Sequence, residues 1–84
     1  GLNEDGFNDL VIYPNPSNTG IFWLVSDKIS NQQVEVYSSQ GKLVKSFKYN
    51  QLNYKLDVSD LTKGIYFLKF STKQGILKKK IVIL

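Results

Sequence analysis

Asp60 to Phe70 reads DLTKGIYFLKF, a turn running straight into an apolar strand. Ser59 or Asp60 caps the turn, Leu61 drops toward a core, and Gly64 supplies a strained backbone angle before the strand starts. From Gly64 to Ser71 both faces are apolar, as a central strand covered on each side would be. Tyr66 stands two residues in. A hydroxyl reaching back from there to backbone near Leu61 would make the tyrosine corner of Ig-like sandwiches, although a plain half-buried strand tyrosine reads the same.

Outward from this segment the chain keeps to strands and turns, and no window shows helical periodicity. Strands are expected at 10–13, 21–25, 33–38, 43–49, 54–58, 64–71 and 76–84. Val34 and Val36 share a face opposite Glu35 and Tyr37, and Tyr54, Leu56 and Val58 share another. Seven short strands in 84 residues imply an all-β fold, a seven-stranded antiparallel β-sandwich with Ig-like or fibronectin-like Greek-key connections. In SSQGK (38–42) a type I turn ending on Gly41 closes a hairpin, and STKQG (71–75) repeats that design between the last two strands. In YPNPSNTG (13–20) Pro14 ends the first strand, Pro16 keeps Asn15 extended, and Gly20 turns the chain into the second. This stiff stretch could cross from one sheet to the other. It is no glycosylation site, because proline separates Asn15 from Ser17.

Composition narrows the function. The first nine residues hold Glu4, Asp5 and Asp9 and no base, and read as a linker or flexible head before a domain at 10–84. Beyond them eleven lysines face four acids, and arginine is absent. Without the guanidinium fork that reads base edges, sequence-specific nucleic-acid binding is disfavoured; a solvated lysine face or attraction to an anionic surface remains. No apolar run approaches the ~20 residues of a membrane span. The lack of a first methionine suggests a piece cut from a longer precursor whose export leader lay upstream.

Catalysis is improbable on inventory alone. There is no His and no Cys, hence no Ser-His or Cys-His nucleophile and little basis for zinc or copper. Asp57, Ser59 and Asp60 are close enough for weak calcium binding, but turn capping accounts for them better, so neither a metal nor a cofactor is expected. Trp23, Tyr37, Tyr49 and Tyr54 could stack on sugar; filling a thin core is their plainer role.

The chain closes on GILKKKIVIL (75–84). Ile76, Lys78, Lys80, Val82 and Leu84 fall on one face, and Leu77, Lys79, Ile81 and Ile83 on the other. Lysines on both faces cannot all be buried, so this strand must run at an edge or project past the sheet. Edge lysines guard against aggregation, or else a partner adds a strand there or grips the terminal carboxylate.

VIYPNPSNTGIFWL, VEVYSSQGKLV, LDVSDLTKGIYFLKF and the lysine-bearing last strand, in that order, resemble the type A C-terminal sorting domains of the type IX secretion system of Bacteroidetes. Each piece alone is weak; four in order over residues 10–84 are specific. By position, Pro14, Asn15, Pro16 and Gly20 match the family's PNP-and-glycine segment, Gly41, Lys42 and Val44 its glycine-lysine-valine segment, and Gly64 with Tyr66 its glycine-x-tyrosine segment. Lys78, Lys79, Lys80, Ile81, Val82, Ile83 and Leu84 match the terminal strand where the signal is thought to concentrate.

The resemblance implies a non-catalytic tag that carries an attached N-terminal cargo from the periplasm through an outer-membrane translocon to the cell surface or medium. A sortase-like peptidase would then cut upstream of the sandwich, and the cargo could be joined to an anionic lipopolysaccharide. On that reading the motif residues keep the shape that is read, while the last strand supplies contacts. The rival reading is a fibronectin-like accessory module that binds carbohydrate or protein for a secreted enzyme.

Overall fold

The computed structural model of the chain describes residues 10–25, 32–49, 53–72 and 75–84; the head expected at 1–9 and the centre of the 71–75 turn lie outside them. Seven strands form among these residues: β1 (Val11–Tyr13), β2 (Ile21–Val25), β3 (Gln32–Ser38), β4 (Leu43–Tyr49), β5 (Asn53–Asp57), β6 (Gly64–Thr72) and β7 (Gly75–Ile83). They make two antiparallel sheets, β1-β2-β5 and β4-β3-β6-β7, the order of a fibronectin-like Greek-key sandwich.

Alternation decides which side chains meet between the sheets. In β2, Phe22 and Leu24 are buried while Trp23 points out. Leu56 and Val58 come in from β5 and its continuation, Val34 and Val36 from β3, Tyr66, Leu68 and Phe70 from β6, and Ile81 and Ile83 from β7. Removing a side chain as large as Phe22 from such a core costs about 3–5 kcal/mol.

The 38–42 turn closes as expected: the Gly41 N–H donates to Ser38 O at 2.9 Å, the Ser38 N–H to Lys42 O at 2.8 Å, and the β3–β4 register shifts beside it. Before β6, the Leu61 N–H donates to Val58 O at 3.0 Å, and the Tyr66 hydroxyl donates to Thr62 O at 2.7 Å. This is a tyrosine corner, anchored one residue past Leu61. Its turn is capped by neither Ser59 nor Asp60 but by Asp57, whose Oδ1 accepts the Ser59 N–H at 3.0 Å and the Ser59 hydroxyl at 2.6 Å.

Two expectations need correcting. β6 is central within its sheet but covered on one face only: Ile65 and Phe67 are 46% and 37% exposed. A run that is apolar on both faces therefore marked a surface patch as well as a core strand. The 13–20 segment does not carry the chain between sheets either, since β1 and β2 are antiparallel neighbours in one sheet. It instead reaches across to the border of the other sheet and returns.

Candidate functional site

β7 is a border strand, paired with β6 without a break from Gly75 to Ile83. Half of its outer edge is occupied. The Asn15 side-chain amide donates to Lys80 O at 2.9 Å, and its oxygen accepts the Val82 N–H at 3.0 Å. The main chain of Ser17 continues this ladder, its N–H donating to Val82 O and its carbonyl accepting the Leu84 N–H, both at 2.9 Å. Asn15 thus acts as a surrogate peptide unit, and 15–17 lies along β7 as a parallel strand stub.

Ser17 holds the stub in shape. It is 1% exposed, and its hydroxyl donates to Ile21 O at 3.0 Å while accepting the Thr19 and Gly20 N–H groups. Gly20 then passes so close to the β5–β6 turn that a Cβ would lie 2.6 Å from the Ser59 Cα. Its φ of +80° is left-handed as well, so glycine is required twice over.

The last strand runs at an edge, one of the two placements its lysines implied, but only part of that edge is open. Ile81 and Ile83 are buried, and the border beside Lys80 to Leu84 is closed by Asn15 and Ser17. By two-residue alternation from Val82, the backbone groups of Ile76 and Lys78 and the Lys80 N–H face outward with no stub partner among the described residues. Lys78, Lys80 and Leu84 stay exposed, and Lys79 is half-buried on the inward face. Val44 packs against the core, Lys42 is exposed beside the Gly41 turn, and Pro14, just before the stub, and Pro16, within it, are exposed. The family-type motif residues are thus gathered in two places, the stub with β7 and the turns at the ends of the sheets. Sequence reading missed Ser17; a serine inside a proline-stiffened loop was its one faint signal.

The proposed sugar-stacking aromatics do not converge. Trp23 faces out from the three-stranded sheet, Tyr54 packs against Phe47 with ring centroids 6.5 Å apart, and the Tyr49 side chain lies outside the described residues. Tyr37 lies on the outer face of the other sheet. Its hydroxyl donates to Glu35 Oε1 at 3.0 Å, and that bond, helped by partial desolvation and the carboxylate charge, raises the phenol above its usual range. Asp57 and Asp60 serve different partners. The Ser59 hydroxyl and N–H hold the Asp57 carboxyl below its usual range, and Lys45, 2.8 Å away, does the same for Asp60.

Residues 11–84 match the family described as the secretion system C-terminal sorting domain. The chain belongs to that family. It is a sorting signal of the type IX secretion system, a non-catalytic domain of a secreted or cell-surface protein, and it works attached to a cargo. The sorting domain is 30% identical to Beta-agarase A of Zobellia galactanivorans over 60 residues, 71% of this chain and 11% of that relative, so it spans about a tenth of the relative's length. Its fold resembles the solved structure of PorZ, described as an essential bacterial surface component of the type IX secretion system of Porphyromonas gingivalis. The TM-score is 0.73 at 12% identity, covering 94% of this chain and 12% of that one. No helix among the described residues of the sorting domain is long and apolar enough to cross a membrane.

Proposed function

We propose that the sorting domain at 10–84 travels through the periplasm with its N-terminal cargo and is engaged, folded, by the outer-membrane translocon at the border formed by β7. A sortase-like peptidase then separates it from the cargo within or before the linker at 1–9. The observation that supports this reading is the division of β7. Its inward residues Ile81 and Ile83 keep the fold, while Lys78, Lys80 and Leu84 offer charge and apolar surface beside unpaired backbone at Ile76 and Lys78.

Trimming Lys78 to Leu84 is a poor test, because it removes two core side chains. The informative variant is Lys78→Glu/Lys80→Glu in a fusion of residues 1–84 to a fluorescent cargo, expressed in a type IX-competent bacterium. Secretion falls severalfold while the melting temperature of the isolated domain stays within a degree or two. Unchanged export by the charge-reversed fusion would remove β7 from the recognition surface.

A further inference from the structure

The outer face of the four-stranded sheet brings exposed aromatic rings and lysines together around a groove. Across β3, β6 and β7 the register places Tyr37, Phe67 and Lys80 in one row and Glu35, Lys69 and Lys78 in the next. Between the rows runs a groove of about 410 Å³, bordered by Tyr37, Phe67, Lys69 and Lys78 and closed at one end by the 38–41 turn. Its parts are held in place: Glu35 takes the Tyr37 hydroxyl, and Lys69 sits 4.0 Å from Glu35 Oε1 and 5.8 Å from the Tyr37 ring centroid. Glu35 is thereby engaged, whereas Lys78 and Lys80 have no acidic partner among the described residues. Counting Lys48 opposite Gln33, four lysines meet one glutamate on this face.

We propose that this groove binds an acidic polysaccharide, its sugar rings lying on Phe67 and against Tyr37 and its carboxylate or sulfate groups reaching Lys69 and Lys78. The charge excess calls for an anion, and the exposed aromatic surface calls for a ligand with a flat apolar face. β3 and β6 are interior strands whose backbone groups are paired on both sides, so an extended acidic peptide finds no main-chain ladder here. Recognition must come from ring faces and ammonium groups, which suits a saccharide. The groove shares Lys78 with the border of β7, but saccharide binding is read on the isolated chain, so its outcome is separable from that of the export test.

The test is calorimetric titration of the 84-residue chain with polygalacturonate and with a sulfated galactan, against neutral dextran and poly-glutamate, at about 150 mM salt. The acidic polysaccharides bind at least tenfold more tightly than either control. Lys69→Ala, Lys78→Ala and Phe67→Leu (which keeps bulk but removes the ring) each weaken binding about fivefold or more, with unchanged melting temperature. Lys55→Ala, the same charge change on the opposite sheet, leaves affinity within twofold. Equal losses from Lys55→Ala and Lys78→Ala would reduce the effect to net charge. Equal or tighter binding of poly-glutamate or dextran, or no binding at millimolar saccharide, would overturn the proposal.

Discussion

Asn15 replaces a strand for Val82: one side-chain amide meets both the Val82 N–H and the Lys80 carbonyl, as a peptide group of a neighbouring strand would. The pairing is made by a side chain, so it can be deleted without disturbing β7 itself. Asn15→Ala is expected to destabilise the domain by about 1–2 kcal/mol, for two hydrogen bonds in a partly exposed setting. Urea denaturation measures this, and hydrogen exchange at the Val82 and Leu84 amides accelerates more than at Leu68. Unchanged exchange at Val82 would mean that the stub does not hold in solution.

Tyr66 tests the corner. Tyr66→Phe keeps the ring in the core and removes the donor to Thr62 O, leaving that carbonyl without its partner. A loss of about 1–2 kcal/mol is expected, against a smaller loss for Thr62→Ala, which touches only the 3.1 Å hydroxyl contact. Equal losses from both would move the anchor from the backbone to the threonine hydroxyl.

Gly20 and Gly64 separate crowding from backbone strain. At Gly64 an added Cβ meets no atom within 4 Å, so the cost of Gly64→Val comes chiefly from placing a side chain at φ +146°, about 1–3 kcal/mol. Gly20→Ala adds a collision with Ser59 backbone to a left-handed φ and costs more than Gly64→Val. Both variants lose export in proportion to lost stability. A Gly64→Val protein with normal melting temperature and no secretion would make Gly64 a contact residue.

Asp57 and Asp60 contribute to the acid side of the stability profile. Both carboxyls are lowered, so near pH 4 the unfolded chain binds more protons than the folded domain. Their contribution is complete above the ordinary carboxylate pKa and disappears as pH falls through the lowered values. Thermal melts from about pH 6 to about pH 2 should therefore decline less steeply in Asp57→Asn/Asp60→Asn than in the parent. A parallel decline would place the acid-sensitive groups elsewhere.

Most of the sandwich was readable because its information is local. Val34 and Val36 against Glu35 and Tyr37, and Gly41 and Gly64 at turns, place strands within a residue of where they lie. Tyr66 allowed a corner as one of two readings, and nothing in the sequence named Thr62 as its acceptor. What could not be read depends on distant partners. The two apolar faces of β6 look alike in sequence, and only the layering shows that Ile65 and Phe67 face out. The Asn15 and Ser17 stub leaves no period at all, since one of its two rungs is a side chain. The lysines of β7 signalled a border correctly, yet they hid the division between an open half and a closed one.

The stub also has a kinetic meaning. Asn15 and Val82 are 67 residues apart, so joining them closes most of the sequence into a single loop. Contacts of that span raise contact order, and domains dominated by them fold in about milliseconds to seconds, with the entropy of loop closure lost before the contact repays it. The clasp between the first connection and β7 thus ties the folding speed of the domain to a single long-range pairing, which Asn15→Ala relaxes without touching the strands.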